Sequence, residues 1–136
     1  MLTESTRPTL LDTLLGVRYN LSMAEEKVIP ILRVKDAAVA VEWYRRLGFE
    51  QTSVHRFGPN MPAFVTIERG EMKIFLSEHL GEARPDTLLY MAVSDVYPIA
   101  KEFGEEVEEA PWGFEIAIRD PDMNRLRIGM PKAARK

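Results

Sequence analysis

One pattern of elements occurs twice along this chain. From Val28 the order reads strand, helix, three strands, and from Leu88 it reads so again. Ile29 and Asp36 recur as Leu88 and Asp95, each 59 residues on, and near the ends of the units the offset falls to 52, with Phe75 matching Arg127. The second helix is three residues shorter between cap and stop, which takes up part of that difference. A unit of four strands has two sheet faces and one helix to cover them. The two units must therefore pair, within the chain or across a dimer, and curved sheets paired so enclose a concave surface. The predicted fold class is α+β: two repeated βαβββ modules forming curved mixed sheets around a cleft.

Local signals support each element. Val28–Val34 is rich in β-branched and aliphatic residues, with Pro30 placing it near an edge or a strand start. Asp36 is a helix cap, Ala40, Trp43, Tyr44 and Leu47 fall on one helical stripe, Gly48 stops the helix, and Phe49 can fold back on its last turn. Strands are predicted over 51–57, 63–68 and 72–77, with Arg69-Gly70-Glu71 as a hairpin turn. In the second unit, 88–93 is a strand and Ser94-Asp95 a cap. Val96, Ile99, Ala100 and Phe103 form the stripe, with Gly104 as the stop and Pro98 tolerable in the first turn. A short acidic strand is expected over 105–109. Phe114, Ile116 and Ile118 then alternate with polar residues, Asp120-Pro121-Asp122-Met123-Asn124 turns the chain, and Arg125-Leu126-Arg127-Ile128 alternates again.

These elements divide the chain into an N-terminal extension over 1–23, a first module over 24–80, a linker over 81–86, a second module over 87–131 and a basic tail over 132–136. The two modules make one domain over 27–131. In the extension, Leu10, Leu11, Leu14 and Leu15 make a short helical stripe that Gly16 could end, and Met23 is a plausible alternative start. Asp12 interrupts the apolar patch, and no basic leader or small-residue cleavage site accompanies it, unlike a signal peptide. A poorly packed extension is expected.

Composition narrows the function classes. At 46% hydrophobic and 29% charged residues, with a mean hydropathy of -0.19, the chain reads as an ordinary globular protein, without an apolar run long enough to span a bilayer. A net charge of -3 argues against nucleic acid as a partner. There are no cysteines, which excludes disulfides, thiolate nucleophiles and Cys-bound zinc and fits a cytoplasmic location. With only two histidines, His55 and His79, a multi-histidine metal site within one chain is already improbable.

Two segments carry a resemblance. Ile31-Leu32-Arg33-Val34-Lys35-Asp36 followed by Trp43-Tyr44-Arg45-Arg46-Leu47-Gly48-Phe49, together with Arg119-Asp120-Pro121-Asp122-Met123-Asn124-Arg125-Leu126-Arg127-Ile128, resemble the vicinal oxygen chelate superfamily of glyoxalases, bleomycin resistance proteins and extradiol dioxygenases. The resemblance covers about residues 27–131. It departs at Met123, where the family's turn usually has Gly. Metal-dependent members of this family hold their ion with His or Gln at the start of each module's first strand and Glu in each last strand. The matching positions here are Ile29, Phe75, Leu88 and Arg127, none of them a metal ligand. The resemblance is therefore closest to the bleomycin-resistance branch, which implies no metal, no cofactor and no catalytic residue. It further implies a homodimer that exchanges an N-terminal strand and sequesters a drug at its interface.

Beside the resemblance, the residues suggest how a ligand is held. Trp112 with Gly113 offers a flat face to a planar heterocycle, and Phe57, Phe64 and Phe75 can line a cleft. Glu102, Glu105, Glu106, Glu108, Glu109 and Glu115 make the second module acidic, which favours a cationic compound. Arg127, if inward, favours an anionic one, so the charge preference stays open. His55 with Glu115 is the one available acid–base couple. The small-molecule ligand is accordingly expected to be aromatic or cationic and antibiotic-like, with a bleomycin-like drug among the candidates. A divergent lyase, isomerase or dioxygenase is the alternative, and a module using the fold for protein contacts is a third. The bland readings are core packing for Trp43 and Tyr44, a solvated face for the glutamates, and exposed positions for His55 and His79.

Overall fold

The structure, a computed structural model, describes residues 26–132. The leucine stripe at 10–15, Met23 and the end of the basic tail lie outside the described residues. The first module runs β1 (Ile31–Arg33), α1 (Ala37–Arg45), β2 (Glu50–Arg56), β3 (Ala63–Arg69) and β4 (Met72–Ser77). Its sheet has the order β1-β4-β3-β2, with β1 parallel to β4 and the other pairs antiparallel. The second module repeats the plan with β5 (Leu88–Ala92), α2 (Tyr97–Phe103), β6 (Glu108–Ala110), β7 (Gly113–Arg119) and β8 (Arg125–Pro131). Its order, β5-β8-β7-β6, is the same arrangement. The two βαβββ units predicted from the repeat are the architecture.

Most local expectations hold for the expected reasons. Asp36 caps α1 by accepting from the backbone N–H groups of Ala38 and Val39, at 3.0 and 3.4 Å. Past Gly48, which has φ of 90°, the Phe49 N–H returns to the Tyr44 carbonyl and its ring packs edge-on against the Tyr44 ring. β2, β3 and β5 differ from expectation by a residue at one or both ends, and three further boundaries differ for a local reason. β1 begins only at Ile31, because Pro30 has no N–H for the ladder, while its carbonyl accepts from Phe75 at 3.0 Å. β6 begins at Glu108 rather than 105, because the Glu105 N–H is used to close α2 on the Ala100 carbonyl. Asp95 accepts from the Tyr97 N–H at 3.1 Å, but Val96 is the residue that immediately precedes the helix.

Strand register settles which residues share a face. In the first sheet, Ala63, Val65, Ile67, Ile74 and Leu76 are buried beneath α1, whose Ala40, Val41 and Tyr44 point back at them. In the second, Met91, Ile116, Ile118, Leu126 and Ile128 are buried with Ile99 and Ala100 of α2. Both sets join in one core, and Trp43 of α1 packs on Phe103 of α2. The opposite faces are open. They carry Ile31, Phe75, Thr66 and Phe64 on the first sheet and Leu88, Tyr90, Arg127, Ala117 and Arg119 on the second, all half-buried or exposed.

A buried polar network ties the modules together. The Tyr44 hydroxyl donates to Asp120 Oδ2 at 2.7 Å. Burial first, then the charge of Asp120, push the Tyr44 phenol far above its ordinary value, so it remains a donor. Asp120 also accepts from the Asp122 N–H at 2.8 Å, the Asn124 N–H at 3.0 Å and Asn124 Nδ2 at 2.9 Å. Asn124 Nδ2 reaches the Arg33 carbonyl at 3.0 Å, and its Oδ1 accepts from the Thr87 N–H at 3.0 Å. The turn closes with Met123 in the left-handed region, at φ of 69°, where Gly is usual.

The network and its turn can each be tested by one substitution. Tyr44→Phe removes a donor from a buried carboxylate and is expected to lower unfolding stability by about 1–3 kcal/mol, read as a shifted urea midpoint. Met123→Gly relieves a left-handed side chain costing about 1–2 kcal/mol, against a glycine entropy penalty of roughly 0.5–1 kcal/mol, so a net gain of up to about 1.5 kcal/mol is expected. A lower urea midpoint for that variant would count against the strain.

Candidate functional site

The eight residues singled out from the sequence separate onto two faces. Four stand on or beside the open face of the first sheet. The Phe64 and Phe75 rings lie 5.0 Å apart there, with Ile31 paired opposite Phe75 in the neighbouring strand. His55 pairs opposite Phe64, and its ring stands edge-on to Phe57 at 4.6 Å. Phe57 is 74% exposed. His79 completes this group, 6.4 Å from Phe57, so both histidines of the chain meet around one phenylalanine. A groove of about 560 Å³ is lined by His55, Phe57, Phe64, His79, Leu80 and Glu82. The segment after β4 is fixed at its start by the buried Ser77, whose hydroxyl donates to Glu82 at 2.6 Å and accepts from the His79 N–H at 3.1 Å.

The other four lie on the second sheet. Glu115 is its centre. It accepts from the indole N–H of Trp112, from Arg127 at 2.8 Å and from the Tyr90 hydroxyl at 3.2 Å. The Arg127 guanidinium also lies over the Tyr90 ring, 5.5 Å from its centroid. The hydrogen bond from Arg127, then those from Trp112 and Tyr90, hold the Glu115 carboxyl below its ordinary value. Loss of solvent around its hydroxyl, then the bond to Glu115, raises Tyr90. Gly129 lies beneath this cluster. A methyl group there would collide with the Tyr90 hydroxyl and sit 2.9 Å from Glu115 Cγ. Gly113 is buried, and any side chain on it would strike the Met130 carbonyl, so it allows β7 and β8 to close.

Among the described residues, no hydrogen bond or ring contact joins the first group to the second. His55 and Glu115, the acid–base couple suggested by the sequence, stand on different sheets of the chain. The acidic residues of the second module are divided. Glu102 pairs with Arg46 at 2.8 Å and Glu109 with Lys132 at 2.8 Å, while Glu108 stands opposite Glu115 across β6 and β7. Tyr90 is the member that the sequence reading missed. It sits in the unbroken apolar run Leu88–Ala92, where alternation is invisible, though the 59-residue offset maps it onto Ile31, opposite Phe75.

Register also tests the positions that a family metal would use. Of the four positions matched from the sequence, Phe75 and Arg127 occupy corresponding places in β4 and β8, but the residues opposite them are Ile31 and Tyr90 rather than Ile29 and Leu88. Two apolar side chains, a phenol and a guanidinium do not fit a divalent ion, and the guanidinium would repel one. Among the described residues, no three His, Cys, Asp or Glu side chains gather as a metal ion would need.

The model for glyoxalase superfamily proteins matches residues 18–134. The chain belongs to the glyoxalase superfamily. Several solved structures share its fold. An antibiotic-binding protein, TnmS3 from Streptomyces sp. CB03234, is 20% identical, with a TM-score of 0.66 over 81% of this chain and 99% of that one. A bleomycin-binding protein in complex with bleomycin is 18% identical, with a TM-score of 0.63 over 79% and 100% of the two chains. A bleomycin resistance determinant encoded on transposon Tn5 is 20% identical, with a TM-score of 0.59 over 80% and 100%. No curated protein matches. At these identities the likeness is one of fold. No helix among the described residues is long and apolar enough to cross a membrane.

The Glu115 cluster carries a pH prediction. Because its folded pKa is depressed, the cluster stabilises the fold fully above the ordinary carboxylate value of 4.5 and loses that contribution as pH falls through the lower folded value. Emission from Trp112 is expected to titrate with a midpoint below 4.5, and Arg127→Met is expected to move that midpoint up toward 4.5. A wild-type midpoint at or above 4.5 would contradict the network.

Proposed function

We propose that this protein is a metal-free binding protein that sequesters a small aromatic, antibiotic-like compound in the cytoplasm. One observation carries the reading: each module presents an open sheet face with aromatic rings set on it, Phe64 and Phe75 on one and Trp112 and Tyr90 on the other. Flat rings on a rigid sheet suit a planar ligand, because burying such rings gains area at small entropic cost. The non-ligands at the metal positions support binding without Lewis-acid chemistry. Two structural neighbours, an antibiotic-binding and a bleomycin-binding protein, point the same way. Of the aromatic and cationic compounds that the sequence allowed, the rings favour the aromatic one.

The unit that binds is a homodimer. A second copy, with the first sheet of one chain facing the second sheet of its partner, would bring the phenylalanine face to the Trp112 face and form two equivalent clefts. It would also cover Ile31, Leu88 and Tyr90, all exposed in the single chain.

The test is a titration of dialysed protein with planar antibiotics, followed through tryptophan emission and paired with elemental analysis. Trp43 packs against the core, so Trp112→Ala separates the two signals. Saturable quenching without conversion of the compound is expected in the wild type, and calorimetry, which needs no fluorophore, is expected to read binding weakened about tenfold or more in Trp112→Ala. Stoichiometric metal, or turnover of the bound compound, would move the protein to the enzymes of its superfamily.

A further inference from the structure

We propose that the ligand carries an acid group, a carboxylate, sulfonate or phosphate attached to its flat body, and that Arg119, Arg125 and Arg127 receive it. The inference rests on the binding role proposed above and adds the charge of what is bound.

These three arginines share the open face of the second sheet. Arg119 pairs opposite Arg125 and Arg127 opposite Ala117, while Leu88 and Tyr90 stand opposite Arg125 and Arg127 on the other side. Three guanidinium groups on one face have two carboxylates as partners. Arg127 is held by Glu115 at 2.8 Å. Arg119 and Arg125 both turn to one oxygen of Asp86, at 3.4 and 3.1 Å. Like charges directly opposite across strands repel, and a single oxygen cannot form the two-bonded fork that a guanidinium prefers with either of them. Arg125 Nε lies close to that oxygen without hydrogen-bond geometry, leaving a buried donor unsatisfied. An anion placed between Arg119 and Arg125 relieves both defects.

The surroundings suit an amphipathic guest. A groove of about 490 Å³ is lined by Leu88, Ala117 and the three arginines, with Glu105 at the α2–β6 connection. Leu88 and Ala117 offer an apolar seat beside the charged row, and Tyr90 continues it toward Trp112 through Glu115. Glu105, and Glu108 opposite Glu115 across β6 and β7, oppose an anion and lower its affinity without giving Arg125 Nε a partner. The groove therefore discriminates by charge, and against cationic planar compounds.

Two fluorescent probes that share one ring skeleton isolate the charge: anilinonaphthalene sulfonate, an anion, and N-phenylnaphthylamine, which is neutral. Titrated into the intact protein, the sulfonate is expected to bind at least about tenfold tighter, the size of a charge-assisted hydrogen bond. Added salt is expected to erode that advantage. Arg125→Met and Arg127→Met are each expected to collapse the ratio toward one, Lys101→Met on α2 to keep it at the same change in net charge, and Glu105→Gln to increase it. Equal binding of the probes, or a ratio unmoved by the arginine variants, overturns the charge assignment. Tighter binding of the amine does the same and leaves the aromatic-sequestration reading standing. If neither probe binds, both readings fall.

Discussion

One buried carboxylate, Asp120, holds the two modules in register. A charge in a protein interior is costly unless its lone pairs are filled. Here four donors fill them: the Tyr44 hydroxyl, the backbone of Asp122 and of Asn124, and the Asn124 amide. The donors come from α1 and from the β7–β8 turn, and Asn124 extends the network to the carbonyl of Arg33 and the N–H of Thr87. One group of side chains therefore fixes the helix of the first module, the start of β5 and the start of β8. It also explains why the Tyr44…Gly48-Phe49 run and the Asp120-Pro121-Asp122 turn belong together in sequence. They are the two sides of one contact. Met123 keeps the turn closed in a conformation that Gly adopts more cheaply, a tolerated local cost.

What was legible in the sequence is what repeats or alternates. The βαβββ order, the Asp36 cap, the Gly48 and Gly104 stops and the β7–β8 hairpin all rest on local chemistry and emerged where expected. Which face of a strand lines a cleft is not local. Phe75 alternates equally well as core or as cleft floor, and only its pairing with Ile31 and Thr66 assigns it to the open side. Tyr90 was hidden because a strand of consecutive apolar residues has no visible alternation. The glutamates of the second module read as one acidic surface, but ion pairs occupy Glu102 and Glu109, and strand register sets only Glu108 beside Glu115.

The separation of the eight candidate residues onto two sheets has a physical origin in the duplication. Each module makes one back face, packed on its helix, and one open face. The back faces merge into a common core, so the open faces cannot also face each other within the chain. At matching positions the modules have then diverged in opposite directions. The first carries Phe75 with Ile31, the second Arg127 with Tyr90. A shared ion needs donors from both modules, whereas a stacked ring needs only flat apolar surface from each. The same positions that offer an ion no donors thus offer a planar guest its apolar surface.

That asymmetry constrains how the cleft works under the proposed pairing. A two-fold dimer repeats each contact, so every cleft has one aromatic wall and one wall where Trp112 and Tyr90 stand beside the arginines, contributed by different chains. The aromatic wall supplies area and little selectivity, because any planar compound can stack there. Selectivity falls to the second sheet, where the room that Gly129 leaves beneath Tyr90 and Glu115 lets the cluster close, and where the Glu115 bonds leave Arg127 a fixed direction. A guest that lacks an acid group leaves Arg119 and Arg125 sharing one carboxylate oxygen, as they do in the single chain. Discrimination then comes more from donors that the wrong guest leaves unpaired than from extra attraction toward the right one. A shallow, open face achieves specificity in this way without enclosing its ligand.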